Sequence, residues 1–177
     1  TSLSKTLSKF NRINGELNIF LSDERVVNIK SDLSNKKMIK NSVNKFKHKV
    51  KIIAPPYNLE KLNKKKLLNK MEEKLNRVSQ FDFAILSVGE DGHFASIFDQ
   101  RSISVSDNFL LYKKNKETFH RISLSFDFFL NIKKIYFILN KKEKLDIFRK
   151  ILHINTKKET NIPIIKILKK REKEFND

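Results

Sequence analysis

The chain of 177 residues contains no cysteine, which excludes a disulfide framework and thiolate chemistry and fits a reducing compartment. No apolar run approaches the roughly 18 residues that a membrane-spanning helix needs, and no basic-then-apolar leader pattern opens the sequence. These absences predict a cytoplasmic protein with no membrane partner. Internal repeats and dividing linkers are also missing, so residues 1–177 read as a single domain. Acidic residues are scarce beside basic ones, 20 against 38, for a formal charge of +18. The densest basic spots (Lys64-Lys65-Lys66, Lys113-Lys114, Lys141-Lys142 and Lys169-Lys170-Arg171) are spread over predicted helices and loops. They lack the interleaved aromatics of a single-strand-binding platform, and no nucleic-acid module accompanies them. They read as solvated faces, with no specific nucleic-acid partner and only weak, nonspecific polyanion binding at low salt.

What is present suffices for a core: 39% of the residues are hydrophobic, and 15 are Phe. Short apolar runs predict strands at Leu17–Ser22, Lys49–Ile53, Phe81–Leu86, Phe109–Tyr112, His120–Leu124 and Lys134–Leu139. Helices are predicted near Ser4–Asn11 and at Asn35–Phe46, Leu59–Arg77, Lys142–Leu152 and Ile162–Leu168. Shorter ones are expected at Phe94–Phe98 and just after Leu124. Pro55-Pro56 closes the second strand, because consecutive prolines cannot continue a ladder. This alternation predicts an α/β fold of three layers, Rossmann-like, with a mainly parallel sheet flanked by helices.

Two stretches carry chemistry. The nonapeptide Val88-Gly89-Glu90-Asp91-Gly92-His93-Phe94-Ala95-Ser96 follows the run Phe81–Leu86. Gly89 and Gly92 break the strand and set an acid and an imidazole at its carboxyl end, where open α/β sheets bind ligands. Upstream, Leu17–Ser22 runs into Asp23-Glu24-Arg25, three charges that are costly to bury and are therefore expected at the strand's mouth. Arg25 suits a phosphate or an oxyanion, since guanidinium grips both through parallel hydrogen bonds; a salt bridge to Asp23 or Glu24 is its structural alternative. His48, His120 and His153 fall in no pattern.

The strand-Asp-Glu-Arg and strand-Gly-x-Asp-Gly-His-x-Ala-Ser arrangements together resemble the 6-phosphogluconolactonase family, within the superfamily of glucosamine- and galactosamine-6-phosphate isomerase-like proteins. The resemblance takes in Ser34-Asn35-x-x-Met38, His120-Arg121-Ile122-Ser123-Leu124-Ser125, and Ile135–Leu139 followed by Lys144, in the same order along the chain. It implies hydrolysis of 6-phospho-D-glucono-1,5-lactone, a small phosphorylated sugar lactone, by a monomer that uses no metal or organic cofactor. A lactone is an activated ester that needs a base for water, a stabiliser for the oxyanion and anchors for the phosphate. His93 is the expected base, its ordinary pKa of about 6.5 lying near working pH, with Asp91 to orient the ring. The alternative for His93 is a ring that merely caps the next helix. Lys144 and Arg121 resemble phosphate and pocket residues, against a solvated lysine and an edge ion pair. Gly89 and Gly92 would bring backbone close to the substrate.

The chain departs from the resembled pattern at several places. It opens Thr1-Ser2-Leu3-Ser4, as though cut just after the Gly-Gly of a phosphate loop. That opening predicts an N-terminally truncated fragment in which Thr1 and Ser2 still offer hydroxyl and N–H groups to phosphate. Ser87 stands where the family has the first glycine of its loop, Asp99 where it has proline, Leu33 where it often has aspartate, and Asn140-Lys141 where it has Thr-Gly. The related glucosamine-6-phosphate deaminases look like Asp-Gly-His-Ile-Ala-Phe-Asn-Glu-Pro and use the Glu in proton transfer. Here Ser96, Ile97 and Phe98 hold the corresponding three places, and a phenyl ring carries no proton. That contrast favours the lactonase over a deaminase-like isomerase; an inactive remnant that binds sugar phosphate is the other alternative.

Overall fold

Three of the described helices start by a shared device in which a short polar side chain accepts a backbone N–H of the first turn. In a computed structural model, which describes residues 16–44, 49–56, 63–98, 108–139, 144–152 and 161–176, Ser34 caps α1 (Asn35–Val43) by accepting from Lys37 at 3.2 Å. Asn63 caps α2 (Lys64–Leu75) from Lys66 at 2.7 Å, and Ser125 caps α3 (Phe126–Leu130) from Phe128 at 3.1 Å. The predicted helix near Ser4–Asn11 lies outside the described residues, as do 59–62 of the predicted Leu59–Arg77 helix. The described residues fall into two compact units, drawn from 1–77 with 113–121 and from 78–112 with 122–177.

In the first unit, β1 (Leu17–Phe20) pairs in parallel with β3 (Val50–Ile53), from Leu17 opposite Val50 to Phe20 opposite Ile53. The ladder extends to Leu21, whose N–H donates to the Ile53 carbonyl at 3.0 Å. It stops before Pro55 and Pro56, as expected. Leu67, Met71 and Leu75 form the buried stripe of α2, at the spacing of one helix face, and Leu21, Val43 and Ala54 are buried too. Burying each such large side chain is worth roughly 1.5–3 kcal/mol. Lys74 donates from Nζ to the Ala54 carbonyl. Its burial, helped by nearby Lys36, Lys70 and Arg77, pushes its pKa below the ordinary lysine value.

Asp23-Glu24-Arg25 departs from expectation: it forms a short strand, β2 (Asp23–Arg25), with Glu24 only 4% exposed. The buried charge is tolerable because the carboxylate is fully occupied. Glu24 Oε1 accepts from the N–H groups of Arg25 (2.8 Å) and Asn35 (2.7 Å). Oε2 accepts from Lys36 N–H (2.8 Å) and the Ser34 hydroxyl (3.2 Å). Helix α1 has no acidic residue in its first turn, so Glu24 supplies the negative charge its N-terminus favours.

In the second unit, β4 (Ala84–Ser87) pairs in parallel with β7 (Ile135–Ile138), Ala84 opposite Ile135 and Ser87 opposite Ile138. The strand begins three residues later than predicted, because Phe81 and Phe83 turn their rings onto Phe128 and Tyr136 in edge-to-face contacts at 5.6 and 6.0 Å. Strand β5 (Phe109–Tyr112) neighbours β6 (Arg121–Leu124) in its sheet, and α4 (Leu145–Leu152) and α5 (Pro163–Asn176) follow. Helix α5 outruns its predicted end and begins at a proline, whose missing N–H has no acceptor to leave vacant at a first helical position. Phe94 is fully buried at the centre, with ring centroids 5.5 Å from both Phe129 and Phe137 and 6.3 Å from Phe126. Arg171 of α5 holds the end of α3 and the residues after it, donating to the carbonyls of Leu130 (3.0 Å), Ile132 (2.7 Å) and Lys133 (2.9 Å).

The predicted helix at Phe94–Phe98 is not formed. Ala95 sits in the left-handed region at φ 49°, and Ile97 N–H donates to the Phe94 carbonyl at 3.0 Å, which makes a tight reversal. Phe94 bridges both Val88 and Ile97, so its backbone groups serve a miniature ladder rather than a helical turn.

Candidate active site

Strand β4 delivers its chemistry by stopping abruptly. Val88 N–H still donates to the Ile138 carbonyl at 3.1 Å, after which the chain closes on itself: Gly89 N–H reaches the His93 carbonyl at 2.8 Å and Gly92 N–H the Gly89 carbonyl at 3.1 Å. Both glycines are required, for different reasons. Gly92 has φ 81°, and a Cβ there would meet Ile162, Ile147 and Ile164 side chains, the last two at 2.9 and 3.2 Å. Gly89 lies against the imidazole, so a Cβ would collide with His93 Cε1 and Nδ1. Helix α5 steadies the loop, with Ile164 N–H donating to the Gly92 carbonyl at 3.0 Å.

Within this loop Asp91 Oδ1 accepts from the His93 backbone N–H at 3.2 Å and from His93 Nδ1–H. An ionised carboxylate only accepts, so the proton resides on Nδ1 and leaves Nε2 as an acceptor. The imidazole is 29% exposed and the carboxylate 56%, which leaves the pair open to a small molecule from solvent. One face of the ring is covered by Phe98 at a centroid distance of 4.4 Å, and Phe98 stacks in turn on Tyr112 at 5.3 Å. Ser87 closes β4 in extended backbone, so its Cβ meets no conformational penalty there. Its hydroxyl accepts from Lys144 Nζ at 3.2 Å, just ahead of α4. The second unit thus brings together Asp91, His93, Gly89 and Gly92 in one loop, and Lys144 with Ser87 at the adjacent strand end.

The first unit holds the arginines. Arg25 Nη1 donates to the Leu33 carbonyl (3.0 Å) and Asn35 Oδ1 (2.9 Å), while its Nε is buried without a hydrogen-bond partner among the described residues. Asn35 also donates to the Asp23 carbonyl (3.0 Å) and carboxylate (3.1 Å), which fixes the guanidinium's support. Arg121 is clasped by Glu117, with Nε and Nη2 donating to the two carboxylate oxygens at 2.9 and 2.6 Å, and its guanidinium lies 5.5 Å from the Phe119 ring. Side-chain exposures of 11% and 19% keep this pair largely out of water. Hydrogen bonding to Arg121 lowers the Glu117 pKa, and the same bond raises that of Arg121. The edge ion pair foreseen for Arg121 is therefore present, with a partner set by i, i+4 spacing. Thr1 and Ser2 lie outside the described residues. Among those residues no cluster of His, Asp and Glu side chains has the makings of a metal site.

Sequence reasoning missed the helix-capping role of Glu24, the identity of Glu117 as the partner of Arg121, the Ser87–Lys144 contact and the ring over His93. Only the second left a trace, the Glu117/Arg121 spacing. The others depend on residues far apart in sequence or on the reversal at Ala95.

A parallel strand pair, a glycine-framed acid–imidazole loop at the carboxyl end of one strand and a lysine beside the same strand end define the candidate site of an α/β protein. The chain belongs to the family of glucosamine-6-phosphate isomerases and 6-phosphogluconolactonase, whose model matches residues 2–175. It is 33% identical over 150 residues to a 6-phosphogluconolactonase of Thermotoga maritima, spanning 83% of this chain and 65% of that protein. A 6-phosphogluconolactonase of Helicobacter pylori is 29% identical over 171 residues, spanning 94% of this chain and 73% of its own. Among solved structures, a 6-phosphogluconolactonase of Shewanella baltica superposes with a TM-score of 0.71 at 20% identity, covering 94% of this chain and 88% of that one. The crystal structure of the Thermotoga maritima protein gives 0.67 at 24% identity, covering 92% and 85%. These likenesses establish the α/β fold. No helix among the described residues is long and apolar enough to cross a membrane.

Proposed function

We propose that the chain hydrolyses 6-phospho-D-glucono-1,5-lactone to 6-phosphogluconate, the ring-opening step of the oxidative pentose phosphate pathway, in the cytoplasm and without a cofactor. The observation that carries this reading is the Asp91–His93 hydrogen bond, which leaves Nε2 as the acceptor of a partly exposed imidazole. His93 Nε2 takes a proton from water as the water oxygen bonds to the lactone carbonyl carbon. Asp91 offsets the positive charge that the imidazole gains. The tetrahedral intermediate then collapses: the bond from carbon to ring oxygen breaks, and the imidazolium returns its proton to the departing alkoxide, leaving a hydroxyl group and a carboxylic acid that releases its proton to solvent as the carboxylate. Lys144 supplies a charge for the substrate phosphate, and Arg25 and Arg121 are proposed as anion contacts of the first unit.

The names of the relatives support the lactonase member of the family over the isomerase member. So does Phe98, a hydrocarbon ring over the imidazole where isomerisation calls for a carboxylate shuttle. The test is the rate of lactone hydrolysis by the purified chain, corrected for spontaneous opening, beside His93→Ala. Loss of a general base lowers kcat about 10²–10⁴-fold. Equal rates for the two proteins would remove His93 from the chemistry, and a folded wild-type protein with no rate above background would point to a sugar-phosphate-binding remnant.

A further inference from the structure

We infer that Phe98 is a positioning residue for His93, backed by Tyr112 and carried to the imidazole by the reversal at Ala95. The inference rests on His93 acting as the base. The imidazole is restrained on three sides: Asp91 holds Nδ1, Gly89 leaves room for Cε1 and Nδ1 and no more, and the Phe98 ring lies across one face with centroids 4.4 Å apart and planes 37° apart. Phe98 is itself steadied by Tyr112, stacked at 5.3 Å and 28°. The Nε2 edge is what remains for a water molecule and the lactone.

Core packing does not account for Phe98. Phe94 and Ile97, in the same reversal, are fully buried and fill the interior, whereas Phe98 stays half-buried on the His93 side. The chain reaches that side only because Ala95 adopts φ 49°, a conformation that disfavours any residue with a Cβ. A helical continuation from Phe94 would have needed no such strain. The phenyl face also suits the transient imidazolium, since a ring quadrupole attracts a cation laid over it.

Rotation of the ring would exchange Nδ1 with a carbon and lose both the Asp91 bond and the Nε2 acceptor, so the ring plane is a catalytic variable. The experiment compares wild type with Phe98→Leu, Phe98→Tyr and Tyr112→Leu by steady-state kinetics and by NMR of the His93 ring. Misplacing a base by a fraction of its working distance costs about tenfold to a hundredfold in rate. Phe98→Leu is expected to lower kcat by that amount with KM within about twofold, Phe98→Tyr to restore it, and Tyr112→Leu to fall between. In the free protein, Phe98→Leu is expected to abolish the upfield ring-current shift of the His93 ring protons and to average its two nitrogen signals. An unchanged kcat in Phe98→Leu, an unchanged His93 ring spectrum, or a Phe98→Tyr protein as slow as the leucine variant would overturn the inference. A wild-type protein without turnover sinks the lactonase reading instead, and the NMR comparison then judges the positioning alone.

Discussion

Replacing Asp91 with Asn tests how much of the His93 chemistry depends on one exposed carboxylate. The change keeps the side chain's size and removes its charge. It also lets a carboxamide N–H face Nδ1, so the tautomer with a free Nε2 is no longer favoured. In the buried triad of a serine protease the corresponding substitution costs about 10⁴ in kcat. Here Asp91 is 56% exposed and its partner 29%, so water screens the imidazolium–carboxylate attraction and offers Nδ1 a substitute acceptor. Partly exposed charged hydrogen bonds of this kind are worth about 1–2 kcal/mol. At 1.36 kcal/mol per tenfold, Asp91→Asn should lower kcat by about 5–30-fold while leaving KM nearly unchanged. The assay is steady-state lactone hydrolysis at neutral pH, with spontaneous opening subtracted and His93→Ala run alongside. A loss as large as that of His93→Ala would refute the screening argument and make Asp91 indispensable to the chemistry. No loss at all would refute the orienting role itself.

Three further outcomes follow from the packing. Glu24→Ala leaves four donors of the β2–α1 junction without their acceptor, in a position only 4% exposed, and should destabilise the protein by about 3–5 kcal/mol in chemical denaturation. Gly92→Ala combines a left-handed backbone at φ 81° with collisions against three isoleucines, and should cost about 2–4 kcal/mol by the same measurement. Glu117 has its pKa held below the ordinary 4.5 by Arg121, so its contribution to stability is complete above that value and is lost as pH falls through the lowered one. Thermal melts from pH 6 downward should therefore show a shallower acid decline for Glu117→Gln than for wild type, and parallel curves would count against the clasp.

The strand positions and the acid–imidazole loop were legible because they rest on local signals. An apolar run followed by Gly-x-Asp-Gly-His can hardly continue a strand, and Ser34 and Asn35 announce a helix start by their own hydrogen-bonding habits. The three charges after β1 misled, because sequence alone prices their burial without seeing the donors that offset it. Glu24 is buried because four donors converge on it, among them the Asn35 and Lys36 N–H groups of the next helix. The Phe94–Phe98 segment misled for a related reason. Its residues have adequate helix propensity, yet burying Phe94 among Phe126, Phe129 and Phe137 favours a reversal over a continued turn. Ser87 is the converse case: it stands where the family has a glycine, and its extended backbone accepts a Cβ without conformational strain.

The competition for cations ranks the anion contacts. Arg121 is already neutralised by Glu117 through two hydrogen bonds, so a phosphate there must displace a carboxylate. Lys144 has a neutral hydroxyl, Ser87 Oγ, as its hydrogen-bond partner, which orients the ammonium, and no acid among the described residues pairs with it. A charge-assisted contact to phosphate is worth about 1.5–3 kcal/mol, or about 10–100-fold in binding. Lys144→Ala should therefore raise KM for the phosphorylated lactone by at least about tenfold and leave hydrolysis of the unphosphorylated lactone untouched. Arg121→Ala should change that ratio between substrates much less and should lower stability instead, since it strands Glu117. If Arg121→Ala proved the more selective of the two against the phosphorylated substrate, the Glu117 clasp would have to open on binding, and the ranking by charge compensation would be wrong.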